Sequence, residues 1–223
     1  LFGGNRLSKR TRRKMEGMDR KMAEVLGPDK KADSLITFGE DAVHQARYLE
    51  RMAHCPVYGG TETEYFPLGE DCFSRMVEEL KKAERYIFLE YFIIEDGVMW
   101  DTILDILTEK VKAGVDVRVM YDDIGSMFTL PREYAAELEK RTGIQCCVFN
   151  PFVPILSLRL NNRVHRKILV VDGKVAFTGG INLADEYINK KVRFGHWKDS
   201  AIMVRGEAAW SMTVMFLTLW DYT

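Results

Sequence analysis

The order of apolar and polar positions from about residue 63 onward predicts an α/β fold. The run YIFLEYFII at 86–94 is too continuously apolar for a strand with one face in water, so we expect a central strand covered on both sides. Apolar runs at 115–121 and 145–149 predict two more strands. Apolar residues at helical spacing predict helices at 69–83, 99–113 and 131–140. Strands that alternate with helices of this length indicate βαβ units and a largely parallel sheet.

The pattern changes after residue 162, where two short apolar runs follow each other closely. The runs at 165–171 and 175–178 flank the turn sequence Asp172-Gly173-Lys174, which predicts a β-hairpin. Further predicted elements are a short strand at 65–66, a final strand at 199–204 and a helix from about 207 to 220. Together these elements predict an α/β fold with a mixed β-sheet sandwiched between helices.

The first part of the chain differs from the rest in charge. Residues 1–31 carry ten Lys and Arg against four Asp and Glu, a local charge of +6 in a chain whose net charge is −1. Helical patterns at 8–26 and 40–53 lead us to expect a basic, juxtamembrane-like helical segment at 1–35 and one catalytic domain at 36–223. Anionic lipid is the expected contact of the basic side chains, and a solvated helix or a disordered tail is the alternative. The expected membrane contacts are Arg10, Arg12, Arg13 and Lys14.

Composition limits the classes of function. A length of 223 residues with 47% hydrophobic content supports one sizeable core. The near-neutral charge argues against a nucleic-acid partner, and none is expected. The four cysteines show neither the CxxC nor the Cys/His spacing of a metal site. We expect no metal and no cofactor. No apolar run reaches the ~20 residues that span a bilayer, although the chain lacks an initiator Met and looks trimmed.

The stretch HRKILVVDGKVAFTGGIN at 165–182 carries the strongest chemical signal. His165 and Lys167 are two residues apart, so on a strand both side chains face the same side. An imidazole beside a fixed ammonium suits a phosphate, because the ammonium holds the anionic oxygens while the imidazole attacks phosphorus or protonates the leaving oxygen. Asn182 adds an amide donor, and Gly180 lets the backbone come close without a side chain in the way.

A nucleophilic histidine needs a carboxylate that holds its second ring nitrogen in the correct tautomer. Asp199 opens the last predicted strand and is our candidate for that role. Asp172 is included as the acidic residue of the motif, although its place seven residues beyond His165 suits the hairpin turn better. The catalytic set predicted from the sequence is His165, Lys167, Asp172, Asn182 and Asp199.

The spacing H-x-K-x4-D, followed by G-G-x-N, resembles the signature of the phospholipase D superfamily. The flanking sequences, including FLEYFIIEDG at 88–97 and GHWKD at 195–199, resemble those of bacterial cardiolipin synthases. This resemblance covers residues from about 60 to the end, and it implies a phospholipase D-like fold and phosphatidyl transfer between two phosphatidylglycerol molecules. It also implies a phosphohistidine at His165, release of glycerol, and a catalytic domain on the cytoplasmic side of the bacterial membrane.

The chain departs from the family pattern in its number of motifs. The family enzymes carry two such motifs, and the second His serves as the general acid for the leaving alcohol. This chain has one, because a second start at His196-x-Lys198 has Met203 where the Asp is required. The site therefore needs a second half, either the C-terminal half of a longer enzyme or a second copy of the chain in a symmetric pair.

Several further positions carry weaker signals. Glu90, Tyr91 and Arg163 are candidate substrate contacts, and core packing is the alternative for the two strand residues. Phe152, in the apolar loop 151–156, is a candidate membrane contact, and packing on the core explains that loop equally well.

Three other functions would use the same motif. A phospholipase D-type hydrolase shares the covalent intermediate and gives phosphatidic acid. A nuclease would use the same phosphate contacts, but the catalytic part lacks a basic stripe for DNA. A membrane-binding half-module would contribute one histidine to a partner without turnover of its own.

Overall fold

Runs of β-branched and aromatic residues form a mixed sheet in the part of the chain that the computed structural model describes, residues 9–26, 30–151 and 163–223. Its strands are β1 (Thr61–Phe66), β2 (Tyr86–Tyr91), β3 (Asp116–Asp122), β4 (Gln145–Phe149), β5 (Ile168–Val171), β6 (Val175–Gly179) and β7 (Ala201–Gly206). Their order in the sheet is β1-β7-β6-β5-β2-β3-β4. The strands β2, β3 and β4 are parallel, and the other pairs are antiparallel. The predicted mixed sheet is confirmed.

Some of the helices pack against the sheet, and the two at the start of the chain pack on other helical segments. The helices are α1 (Lys9–Leu26), α2 (Glu40–Ala53), α3 (Gly69–Lys81), α4 (Val98–Lys112), α5 (Asp123–Ser126), α6 (Tyr134–Thr142) and α7 (Ala209–Trp220), with 3₁₀ segments at Lys30–Phe38 and Asp185–Ile188. The helices predicted from the sequence are present, with ends shifted by up to three residues. The sequence did not predict α5 or the 3₁₀ segments, because short turns show no clear helical period. No helix among the described residues is long and apolar enough to cross a membrane.

Alternate side chains of the central strand face two different cores. Ile87 and Leu89 of β2 are fully buried in the larger core with residues of α3 and α4. Phe88 points the other way and stacks on Phe216 of α7, with ring centroids 4.8 Å apart. This burial on both faces explains the continuous apolar run of β2. Glu90 shares the direction of Phe88, so its carboxylate enters the interior on the α7 face.

Two strands are shorter than the sequence predicts. β2 ends at Tyr91, because the chain then leaves the sheet and the Ile93 N–H donates to Asn182 Oδ1 at 3.1 Å. β5 begins at Ile168, so His165 lies on the segment that leads into the strand. Both differences place functional residues just outside regular strands, where backbone groups are available to side chains.

The predicted hairpin between β5 and β6 is confirmed. Asp172 and Gly173 form its turn with φ values of 55° and 68°, a left-handed conformation that favours glycine at the second position. The Asp172 carboxylate accepts hydrogen bonds from the backbone N–H groups of Glu84, Arg85 and Tyr86 at 2.8–2.9 Å. Burial alone would raise the pKa of Asp172, but these three donors bring that pKa below its usual range. Asp172 therefore attaches the hairpin to the start of β2.

Candidate active site

Several segments of the chain meet at one edge of the sheet. The strands β2, β3 and β6 end there, and β5 and β7 begin there because they run antiparallel to β2 and β6. We call this the active edge. It carries four of the five catalytic candidates, namely His165, Lys167, Asn182 and Asp199.

His165 and Lys167 lie against the same aromatic ring. The exposed His165 ring is tilted against Phe92, with centroids 5.0 Å apart. Lys167 is only 3% exposed, and its Nζ lies 5.6 Å from the centroid of the Phe92 ring. The Lys167 Nζ also donates to the His165 carbonyl oxygen at 2.8 Å. Phe92 thus brings the two side chains together. The sequence analysis missed it because it falls within the predicted strand 86–94, where most aromatic residues are core.

The buried ammonium of Lys167 is the main electrostatic feature of the site. Burial lowers the pKa of Lys167, and the carboxylate of Asp199 partly offsets that effect. This dependence places Asp199 within electrostatic reach of Lys167. A phosphate beside the ammonium would restore part of the solvation that burial removes, so the site favours an anion next to His165.

Arg166, between His165 and Lys167, points into the protein and meets Glu90. Its guanidinium donates two hydrogen bonds to the Glu90 carboxylate, at 2.7 and 3.0 Å. Glu90 has no exposed surface, and burial raises its pKa while Arg166 opposes the rise. Arg166 is therefore the partner that a buried glutamate requires, and a substrate contact of Glu90 stays a prediction. The pair fixes the backbone of the residue between the two catalytic candidates.

Asn182 is held by hydrogen bonds on both ends of its amide. Its Oδ1 accepts from the Ile93 N–H, and its Nδ2 donates to the Tyr187 hydroxyl at 2.8 Å. Asn182 is 2% exposed, so it sits beneath the surface of the active edge. The sequence analysis did not identify Tyr187, whose five-residue spacing from Asn182 carries no motif. The second N–H of the amide is the group that could hold a phosphate oxygen.

Gly180 leaves room for the carboxylate of Asp199. A Cβ at Gly180 would lie 2.1 Å from Asp199 Oδ1, which is far inside contact distance. The same Oδ1 accepts from the Ser200 N–H at 2.8 Å. Asp199 makes no hydrogen bond to the His165 ring among the described contacts, so its orienting role stays a prediction. The structural reason for a glycine at 180 is thus the position of Asp199.

Asp172 lies at the opposite end of β5 from His165. Its carboxylate is occupied by the three backbone donors at the hairpin, which is the role that the sequence favoured for it. A residue in this place supports the strand and does not reach a phosphate at His165.

Arg163 and Asp122 hold the segment that leads to the site. Arg163 Nη1 donates to the Asn150 carbonyl oxygen at 3.0 Å and to Asp122 Oδ1 at 3.4 Å. Asp122 is fully buried, and its Oδ2 accepts from the Val164 N–H at 3.2 Å. The chain before His165 is therefore tied to the end of β3, and a substrate contact of Arg163 stays a prediction.

The remaining weaker candidates lie in different surroundings. Tyr91 is 3% exposed in the larger core, where burial and the nearby Cys72 raise its pKa, so its contacts are those of a core residue. Arg13 is exposed on α1. The side chains of Arg10, Arg12, Lys14 and Phe152 lie outside the described part of the chain.

The arrangement is suited to nucleophilic attack on an anionic phosphodiester. An exposed imidazole is available as nucleophile and a buried cation lies against the same Phe92 ring, while an amide and a carboxylate lie at the same edge of the sheet. A neutral imidazole forms a covalent bond to phosphorus most readily when a cation neutralises the phosphoryl oxygens.

Comparison with protein families gives a direct match. The model of the family described as "Cardiolipin synthase, PLD-like domain" matches residues 76–210. An uncharacterized protein of Streptococcus mutans is 48% identical over 216 residues, 95% of this chain and 47% of that protein. A cardiolipin synthase of a Geobacillus species is 37% identical over 224 residues, covering 100% of this chain and 44% of that enzyme. The chain thus spans somewhat less than half the length of these relatives.

Solved structures share the fold at low sequence identity. NucT from Helicobacter pylori has a TM-score of 0.51 and 13% identity, covering 73% of this chain and 92% of its own. The phosphatidylserine synthase of Haemophilus influenzae has a TM-score of 0.51 and 13% identity, covering 65% of this chain and 33% of its own. At these identities the similarity establishes the fold alone, and it confirms the phospholipase D-like sheet between helices that the sequence predicts.

Proposed function

Since this chain belongs to the cardiolipin synthase, PLD-like domain family, we propose that it transfers a phosphatidyl group from one phosphatidylglycerol to another, giving cardiolipin and glycerol. One observation supports this proposal most strongly. The exposed ring of His165 and the buried ammonium of Lys167 lie against the same Phe92 ring at the active edge. A phosphodiester is the substrate class that such a nucleophile and cation fit.

The proposed reaction has two steps through a phosphohistidine. In the first step a ring nitrogen of His165 attacks phosphorus, the N–P bond forms and the P–O bond to glycerol breaks. The departing glycerol oxygen takes a proton from an acid. In the second step the conjugate base removes a proton from a hydroxyl of the second phosphatidylglycerol. That oxygen forms a new P–O bond, the N–P bond breaks and its electron pair returns to the imidazole.

The residues around His165 have complementary roles in this proposal. Lys167 neutralises the phosphoryl oxygens, and its burial strengthens that interaction because little water competes with it. Asn182 donates its second amide hydrogen to an equatorial oxygen. Asp199 orients the His165 ring once substrate is bound, since catalytic hydrogen bonds often tighten only in the complex.

The acid of the first step belongs to a second catalytic half. This chain carries one motif and spans less than half of its cardiolipin synthase relatives. We therefore propose that a second phospholipase D-like half, in a longer chain or in a second copy, supplies the acid. The basic segment at 1–35 is proposed to lie against anionic lipid on the cytoplasmic side of the bacterial membrane.

Product analysis tests the proposal. The chain is incubated with radiolabelled phosphatidylglycerol in mixed micelles, beside His165→Ala and the control His196→Ala, which removes an exposed histidine on the neighbouring segment. If two copies complete the site, cardiolipin and glycerol are expected from the wild type and His196→Ala, but not from His165→Ala. If the second half belongs to a longer chain, the wild type and His196→Ala are expected to form a phosphohistidine without cardiolipin, and His165→Ala is expected to form neither. Equal cardiolipin from His165→Ala would contradict the assignment of the nucleophile.

Hydrolysis is the second candidate reaction. His165 is exposed in this chain, so water can reach an adduct on its ring. A hydrolase releases phosphatidic acid and no cardiolipin, so the same experiment separates the two reactions by product.

A further inference from the structure

Three large apolar side chains are exposed near the active edge. Phe128, which follows α5, is 91% exposed, and Val192 and Phe194, between β6 and β7, are 80% and 79% exposed. We call these three residues the apolar rim. Single exposed apolar residues are common on protein surfaces, but several at one edge indicate a binding surface.

Contacts to the turn after β2 connect the two parts of the apolar rim. Thr129, next to Phe128, donates from Oγ1 to the Ile94 carbonyl oxygen at 2.6 Å. Lys191, next to Val192, forms an ion pair with Glu95. Both parts of the apolar rim therefore lie next to residues that contact the segment 92–95, whose Phe92 ring supports His165 and Lys167.

The segment that carries Val192 and Phe194 is anchored to the body of the protein. Asn189 accepts from the Trp197 N–H at 2.6 Å and donates to the Trp197 carbonyl oxygen at 3.0 Å. The Trp197 ring packs against Tyr187 at 5.0 Å, and Tyr187 binds Asn182 of the active edge. Because Phe194 packs at 6.3 Å from Trp197, this part of the apolar rim has a connected route to the site.

Charge around the apolar rim indicates which partner it fits. Residues 190–198 include four Lys and Arg and no Asp or Glu. Two of these cations pair with protein carboxylates, Lys191 with Glu95 and Arg193 with Glu186. Lys190 and Lys198 are exposed, and no ion pair of either is found among the described residues. Exposed aromatic and aliphatic side chains flanked by lysines fit an anionic bilayer surface better than a neutral one.

We propose that the apolar rim inserts into an anionic phospholipid bilayer and thereby presents the active edge to the membrane. The inference rests on the proposed function, because a phospholipid substrate has to reach His165 from a bilayer. Phe128, Val192 and Phe194 enter the interface between head groups and acyl chains, and Lys190 contacts lipid phosphates. The surface lies at the edge that carries His165, whereas the basic segment is a separate part of the chain.

Vesicle flotation tests the apolar rim. The chain is floated with vesicles of phosphatidylcholine mixed with phosphatidylglycerol and with vesicles of phosphatidylcholine alone. The variant is Val192→Ser/Phe194→Ser. The matched control is Phe38→Ser, because Phe38 is also 79% exposed. Phe38 belongs to the 3₁₀ segment Lys30–Phe38, which the ion pair between Lys31 and Glu207 attaches to the protein. Glu207 follows the last residue of β7, whereas Asp199 precedes its first residue. Thermal unfolding verifies that the variants are folded.

The expected result is a loss of vesicle affinity of about tenfold or more in the double variant, because two large apolar side chains no longer enter lipid. Phe38→Ser should bind like the wild type. Lys190→Gln should lose about fivefold on the vesicles that contain phosphatidylglycerol and nothing on phosphatidylcholine alone. In Phe194→Trp, brominated lipids should quench tryptophan emission more strongly than in the wild type.

Three outcomes would overturn the inference. The wild type fails to bind the vesicles, the double variant binds as tightly as the wild type, or the double variant changes the oligomeric state in sedimentation while vesicle binding stays the same. The last outcome would assign the apolar rim to a protein interface with a second copy. Flotation needs no turnover, and micellar phosphatidylglycerol needs no bilayer. Cardiolipin formation in micelles therefore reports on the proposed function, while flotation reports on the apolar rim.

Discussion

The ion pair of Arg166 and Glu90 gives an asymmetric prediction for stability. Glu90 is fully buried, whereas the Arg166 side chain is 37% exposed. Arg166→Met leaves an uncompensated carboxylate in the interior, which costs about 3–5 kcal/mol in the free energy of unfolding at neutral pH. Glu90→Gln keeps an acceptor for Arg166, whose side chain is partly exposed, so the expected cost is about 1 kcal/mol. The double variant removes the buried charge and should be more stable than Arg166→Met alone.

The effect should depend on pH with a defined sign. Burial raises the pKa of Glu90, and Arg166 opposes that rise, so removing Arg166 raises this pKa further. A carboxyl group with a raised pKa binds its proton more tightly in the folded state. The part of the Arg166→Met destabilisation that depends on charge should therefore be absent at pH values where Glu90 is protonated in both folded proteins. It should grow by about 1.4 kcal/mol per pH unit as the pH rises from the folded pKa of Glu90 in the wild type to its higher folded pKa in the variant.

Urea unfolding of the wild type, both single variants and the double variant between pH 4 and pH 7.5 measures these quantities. The double-mutant cycle gives the coupling energy of the pair. Arg166 is also a positioning residue, so Arg166→Met should slow formation of the phosphohistidine even where the variant is fully folded, and Arg166→Lys should recover part of that rate. The reasoning would be refuted by additive losses in the cycle, or by a cost of Arg166→Met that does not change with pH.

Two further substitutions separate the site from its support. Gly180→Ala should reduce turnover by about tenfold or more, because the added Cβ would displace Asp199. Gly59→Ala is the control and should behave as the wild type, since a Cβ at Gly59 has no atom within 4 Å. Equal turnover of the two variants would remove the argument for Gly180. Asp172→Asn should destabilise the chain by about 1–3 kcal/mol at neutral pH. Because the pKa of Asp172 is lowered, the difference in stability from the wild type should shrink as the pH falls through this pKa. Unfolding at several pH values measures this difference, and a stability equal to the wild type at neutral pH would contradict the structural role.

The sequence predicted the sheet well because its patterns are those of burial. β2 reads as a continuous apolar run because Ile87 and Phe88 face two cores, and the turn at Asp172 and Gly173 follows from their backbone preferences. Strand ends were less predictable. The end of β2 at Tyr91 depends on hydrogen bonds to residues about 90 positions away, which no local pattern records.

The sequence identified the candidate site residues that belong to a motif of fixed spacing. It did not identify the roles of residues that depend on contacts between distant segments. His165, Lys167, Asn182 and Asp199 follow from the motif and from the start of the last strand, and they share one edge. Glu90 shows the limit, because its sequence position suggested a substrate contact and only the structure shows its partner Arg166. The roles of Phe92 and Tyr187 likewise arise from packing between distant segments.

The most direct test of the account is to locate the covalent intermediate. The chain is mixed with phosphatidylglycerol, quenched under alkaline conditions that preserve phosphohistidine, digested, and analysed by peptide mass spectrometry beside His165→Asn and His196→Asn. The account predicts a phosphatidyl adduct on the peptide that contains His165, present in His196→Asn and absent in His165→Asn. An adduct on another residue, or one that persists in His165→Asn, would contradict the central claim that His165 is the nucleophile.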